Sequence, residues 1–208
     1  MEKSQVNDCK EVLLSMKLIS DQLNDVIDKL DREAISGMLT EILTAKLTAN
    51  RVFVMGAGRS GLVAKAFAMR LMHLGFTVYV VGETTTPAVS GNDVVIAISG
   101  SGETRSIADL GKIVKDIGSP LITVTSKNNS TLADIADIVM VIPSKAKNDL
   151  DAGGFLERNM RGDYINKPPL GTAFEITALV FLDSLIAQLI TLTGASEAEL
   201  QSRHTNVE

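Results

Sequence analysis

Tryptophan is missing from this 208-residue sequence, and aromatic residues make up only 4% of it. The core must therefore be aliphatic, with methionine as filler. Cysteine is nearly absent too: Cys9 stands alone, which excludes an internal disulfide. One cysteine and two histidines, His73 and His204, do not make a ligand cluster, so no metal site is expected. A lone thiol fits the reducing cytoplasm. Excess positive charge is also lacking, since 20 Lys and Arg stand against 25 Asp and Glu for a net charge of −5. Such a chain has no broad field to attract nucleic acid or a membrane surface, so any anionic ligand must be held by local donors. The opening MEKSQVNDCKEV has no apolar core and no cleavage-site pattern, so no signal peptide is expected. The most apolar stretch, Ala173 to Thr193, carries Glu175, Asp183 and Gln188, which would be costly in a bilayer. It is expected to be a buried helix of a soluble protein.

What is present suits one globular domain over residues 1–208, with 45% hydrophobic and 22% charged residues. Residues 4–50 are helical in pattern. Val12, Leu13, Met16, Ile19, Leu23, Val26, Ile27 and Leu30 recur at three- and four-residue steps, and Ile35, Met38, Leu39, Ile42 and Leu43 continue in a second run. Those stripes could pack on the main body or on a partner chain. From 51 to 143 the pattern changes. Short apolar runs rich in β-formers at Arg51–Met55, Thr77–Val81, Asp93–Ile98, Pro120–Thr125 and Ile138–Ile142 predict five strands. Helical patterns at 59–74, 103–117 and 132–135 separate them. Alternating strands and helices predict an α/β fold, a five-stranded parallel sheet flanked by helices on both faces. A polar loop at 144–169 breaks the rhythm, and loops this long are usually functional or disordered. A long helix follows at about 171–193, and the polar tail GASEAELQSRHTNVE is expected to fray unless something pins it.

Two motifs carry chemistry. Gly56-Ala57-Gly58-Arg59-Ser60-Gly61 follows a strand and opens a helix. Glycines there let a ligand approach the backbone, the helix start offers free N–H groups, and Arg59 and Ser60 add donors. The same string fits a dinucleotide fingerprint weakly, with Glu83 as the ribose acid. Its bland explanation is a small-residue turn for close helix packing. Ser99-Gly100-Ser101-Gly102-Glu103-Thr104 follows the third strand. Three hydroxyls, from Ser99, Ser101 and Thr104, around a helix N-terminus suit the oxygens of a phosphate monoester. No P-loop lysine is present, which disfavours a nucleoside triphosphate. Here the bland explanation is a simple N-cap, with Glu103 favouring the helix dipole. Two such turns on one sheet would flank a crevice at the carboxyl ends of the strands. His73, in MRLMHLG, is explained by contact with a helix C-terminus, and Met69 and Met72 by core packing.

The pair of strand–GAGRSG–helix and strand–SGSGET–helix units resembles the SIS (sugar isomerase) domain over roughly residues 30–193. Val81-Gly-Glu-Thr-Thr-Thr-Pro87, Pro169-Leu-Gly-Thr-Ala-Phe-Glu175 and Arg203-His-Thr-Asn-Val-Glu208 extend the resemblance, to the 6-phospho-3-hexuloisomerase family. It implies a single SIS domain, an αβα sandwich of flavodoxin-like form. It also implies interconversion of D-arabino-3-hexulose 6-phosphate and D-fructose 6-phosphate through an enediol, in the ribulose monophosphate pathway. By the same resemblance, Ser99, Ser101 and Thr104, with Gly100, Gly102 and Glu103 of the same turn, bind phosphate. Gly58, Arg59 and Ser60 close the sugar site. Glu175 is the catalytic base, and His204 enters a neighbouring subunit's site. Tetramers built from dimers, functional coupling to 3-hexulose-6-phosphate synthase, and no cofactor or metal are implied as well. Alternatives are another SIS aldose–ketose isomerase, a non-catalytic sugar-phosphate sensor, and a dinucleotide-binding oxidoreductase. Without the resemblance, Glu175 would be taken as a first-turn helix acid and His204 as a solvated histidine.

Overall fold

The structure is a computed structural model describing residues 9–143 and 172–206. The expected polar loop at 144–169, and Pro169 to Gly171 of the PLGTAFE stretch, lie outside the described residues, as do residues 1–8 and 207–208. Two helices lead, α1 (Lys10–Ile27) and α2 (Arg32–Leu47). The latter is capped by Asp31, whose carboxylate accepts from the Glu33 and Ala34 N–H groups. Then come β1 (Val52–Gly56), α3 (Gly58–His73), β2 (Val78–Val80), β3 (Val94–Ile98), α4 (Arg105–Ile117), β4 (Leu121–Thr125), α5 (Thr131–Ile135) and β5 (Ile138–Val141). Helices α6 (Thr172–Thr193) and α7 (Glu197–Ser202) close the chain.

All strand pairs are parallel and the sheet order is β2-β1-β3-β4-β5. The twofold period of the strands divides the core. Val52, Val54, Val94, Ile96, Ile122 and Val124 face a layer formed by α1, α2, α3 and α6, while Phe53, Met55, Val95, Ala97 and Leu121 face α4 and α5. Sheet β1–β3–β4 is buried on both faces, which is why those strands read as unbroken apolar runs. The expected five-stranded αβα sandwich is thus what the chain forms, and its order is the flavodoxin-like one. At the amino ends of β1 and β3, buried Asp93 accepts from Arg51 Nε and from the Arg51 and Ser90 N–H groups at 3.0, 3.0 and 2.8 Å. Arg51 also pairs with it at 2.6 Å.

Helix α6 is apolar all round, and Ala173–Thr193 is long and apolar enough to cross a membrane by length and composition. In the fold, its Phe174, Ala178, Phe181, Leu182, Leu185 and Leu189 instead complete the core against the sheet and α3.

One expectation needs correcting, and one that carried a condition is resolved. Met69 and Met72 are 47% and 40% exposed and share the outer face of α3 with exposed Leu62. Periodicity marks an apolar stripe without saying what covers it. On α1, Val12, Leu13 and Met16 are exposed likewise. The tail does not fray at 197–202. Ser196 and Glu199 form a capping box that starts α7, and Arg203 donates to the His73 carbonyl at 3.2 Å, anchoring its end on α3. His73, the last residue of α3, sits at the helix end as expected and is buried there.

Candidate active site

Both expected turns sit at the carboxyl edge of the sheet on neighbouring strands, with Gly56 of β1 paired to Ile98 of β3. They are built differently. In the first, a Cβ on Gly56 would lie 2.8 Å from the Ser60 carbonyl oxygen, and one on Gly61 would lie 2.8 Å from the Gly56 oxygen. Those two glycines let α3 press onto β1, the packing role first weighed as the bland explanation. Gly58 is different: it holds φ 56°, in the left-handed region, and faces open space. Ala57 offers α3 no side-chain cap, so nothing on its own side chain occupies the helix start. Ser60 is buried, and Arg59 reaches outward with about half its side chain exposed.

The second turn is a folded cup. Ser99 is buried at the end of β3, and its Oγ lies 3.3 Å from Thr104 Oγ1. Thr104 occupies the N-cap position of α4 in extended geometry, but its side chain makes no cap hydrogen bond. That hydroxyl, Ser99 and the first turn of α4 together form a neutral, donor-rich end with positive dipole character. Ser101 is exposed, and its Oγ accepts from the Glu103 N–H at 3.1 Å. The Gly100 carbonyl accepts from the Ser126 N–H and hydroxyl at 3.0 and 2.5 Å. Gly102 has φ 65°, and a Cβ there would overlap the Ser130 hydroxyl. The Glu103 carboxylate reaches α5, where it accepts from Thr131 N and Oγ1 at 2.8 and 2.7 Å. Those two bonds hold its pKa below the usual carboxylate range.

Glu175 lies in the first turn of α6, with 16% of its side chain exposed. Its Oε2 is 3.9 Å from Arg59 Nε and has no hydrogen-bond partner among the described residues. Beside it, Phe174 packs its ring on Gly100 so closely that a Cβ there would stand 2.9 Å from the ring. The fold thus gathers Arg59, Glu175 and the 99–104 turn around one edge of the sheet.

His204 is not brought there within one chain. Its ring stacks on His73 at 3.9 Å between centroids, at the opposite end of α3 from Arg59. The two rings line a cleft of about 290 Å³ with Arg70, Ile186, Glu197 and Gln201. Burial, then the neighbouring His204 and Arg70, lower the His73 pKa, and its Nδ1 has no partner among the described residues.

Sequence reading missed the support from Ser126, Ser130 and Thr131. The signal was available: SKNNST after β4 is a third strand-to-helix turn at the same edge. The described residues contain no group of three or more His, Cys, Asp or Glu able to hold a metal ion.

Comparison with known proteins gives this geometry a context. Residues 47–155 match the SIS domain. The chain is 44% identical to an uncharacterised protein of Archaeoglobus fulgidus, over 95% of this chain and 100% of that one. It is 35% identical to the 3-hexulose-6-phosphate isomerase of Mycobacterium gastri, over 95% of this chain and 92% of that enzyme. Among solved structures, a Methanococcus jannaschii protein with an inferred 3-hexulose-6-phosphate isomerase function superposes with a TM-score of 0.74 at 32% identity. That match covers 93% of this chain and 98% of that one.

Proposed function

This chain belongs to the SIS domain family, and from that premise we propose that it is a 3-hexulose-6-phosphate isomerase. It interconverts D-arabino-3-hexulose 6-phosphate and D-fructose 6-phosphate. The observation that carries the reading is the pairing of two features at one sheet edge. One is the Ser99–Thr104 hydroxyl pair at a helix start free of a side-chain cap. The other is a shielded carboxylate, Glu175, with an oxygen left free of hydrogen bonds.

The phosphate docks on Ser99, Ser101, Thr104 and the first N–H groups of α4, where dipole and hydroxyls replace a cation. The sugar chain then extends past Gly58 and Ser60 toward α6. From the 3-ketose, Glu175 takes the proton on C2, an enediol spanning C2 and C3 forms, and the proton returns to C3. One positioned carboxylate serves both transfers. Arg59, close to Glu175, supplies positive charge to the enediolate oxygens. A 3-ketose phosphorylated on O6 cannot close a five-membered ring through that oxygen, so ring opening concerns only the fructose form. His204 acts from a neighbouring subunit, and the exposed stripes of α1 and α3 supply the apolar contact surface for a tetramer of paired dimers. The enzyme works in the cytoplasm beside 3-hexulose-6-phosphate synthase, in the ribulose monophosphate pathway, run toward formaldehyde fixation or toward pentose synthesis.

The decisive assay mixes the protein with fructose 6-phosphate and follows 3-ketose formation, coupled to the aldolase that releases formaldehyde and ribulose 5-phosphate. Turnover that Glu175→Gln abolishes while fructose 6-phosphate still binds is the expected result. No turnover by the unaltered protein, with binding retained, would make it a sugar-phosphate sensor instead.

A further inference from the structure

Glu103 is an odd residue for a turn that receives a dianion. A free carboxylate beside a phosphate monoester repels it. It would also compete for the N–H groups of α4. The structure engages that carboxylate elsewhere. Both Glu103 oxygens are engaged by Thr131, one by its N–H at 2.8 Å and the other by its hydroxyl at 2.7 Å. Thr131 is the first residue of α5, which packs against α4 on the same face of the sheet. Two more contacts join the same elements: the Leu132 N–H donates to the Gly102 carbonyl at 3.1 Å, and Ser130 fills the space beside Gly102. The turn's backbone is thereby gripped by residues that follow β4.

We infer that Glu103 is a positioning residue: through Thr131 it holds the 99–104 turn in the shape that receives phosphate, and so sets the affinity for the phosphorylated end of the substrate. This rests on the reading of that turn as the phosphate site. Glu103 acts on binding and not on proton transfer, because it faces α5 while Glu175 stands on α6. Helix α4 begins directly after Thr104, so a slack turn misplaces the Thr104 hydroxyl and the first N–H groups together. Gln in place of Glu103 keeps an oxygen acceptor for the Thr131 N–H, and Ser in place of Thr131 keeps both donors.

The test measures KM, kcat, inhibition by inorganic phosphate, and thermal unfolding for Glu103→Ala, Glu103→Gln, Thr131→Val, Thr131→Ser and Ser99→Ala. Glu103→Ala is expected to raise KM and the phosphate inhibition constant together by about tenfold, with kcat within about twofold. Glu103→Gln and Thr131→Ser should restore most of that loss. Should Glu103→Ala fail to fold, Thr131→Val, which removes one hydroxyl, should still weaken phosphate by about threefold. A merely structural role would lower the unfolding temperature without moving KM and phosphate inhibition in parallel, and that result overturns the inference. So does an unchanged KM in Glu103→Ala and Thr131→Val while Ser99→Ala weakens phosphate. If Ser99→Ala leaves phosphate inhibition untouched as well, it is the phosphate reading itself that fails.

Discussion

The turns at 56–61 and 99–104 look alike as strings of glycine and serine after a strand, yet their glycines answer to different constraints. In the first, Gly56 and Gly61 sit against backbone of their own turn, and only Gly58 has an open side. In the second, Gly100 is confined by the Phe174 ring and Gly102 by the Ser130 hydroxyl, both far away in sequence. The first turn is self-contained, a joint between β1 and α3. The second is held from outside by α5 and α6. A local motif can therefore be completed locally or only by tertiary contacts, and only the second kind couples ligand binding to distant parts of the chain.

The strongest way to break the comparison is at Glu175, in the helix start that meets Arg59 of the first turn and, through Phe174, Gly100 of the second. Glu175→Gln should lower kcat by roughly 10²- to 10⁴-fold, read in the coupled assay, with fructose 6-phosphate binding preserved in calorimetry. Gly56→Ala should act on stability first, costing about 1–3 kcal/mol in denaturant unfolding, because the Ser60 carbonyl leaves no room for a methyl group. A loss of phosphate affinity without loss of stability would mean the first turn is not the packing joint described. At the other ends of the same strands, burial raises the Asp93 pKa but hydrogen bonds from Arg51 and Ser90 outweigh it and lower it from 3.8 to about 2. Since the folded value is the lower one, this contribution is complete above the unfolded pKa and disappears as pH falls through about 2. It amounts to about 2 kcal/mol, and unfolding midpoints compared between about pH 5 and pH 2 should converge for the native protein and Asp93→Asn. The smallest effect belongs to Ser99→Ala, expected to raise KM about tenfold while leaving the unfolding midpoint within about 1 kcal/mol.

The sheet was legible because strands buried on both faces leave continuous apolar runs such as Val94 to Ile98. Both turns were legible because each lies within six consecutive residues. What stayed hidden was set by contacts across the chain. Nothing near Glu103 announces Thr131, which is 28 positions away. Met69 and Met72 repeat at helical spacing whether the core or another surface covers them, so their exposure could not be read from the pattern. The seating of His204 on His73 depends on Arg203 reaching back to the end of α3. The start of α7 was readable, for Ser196 and Glu199 stand at capping-box spacing, but the polar tail composition masked it.

The ring of Phe174 leaves no slack above Gly100. It acts as a spacer block, one aromatic thickness deep, between the loop that follows β3 and the helix that carries Glu175. Shaving that block or adding to it by mutation would tilt α6 at its leading end, so the carboxylate would be misaimed by changes that never touch it.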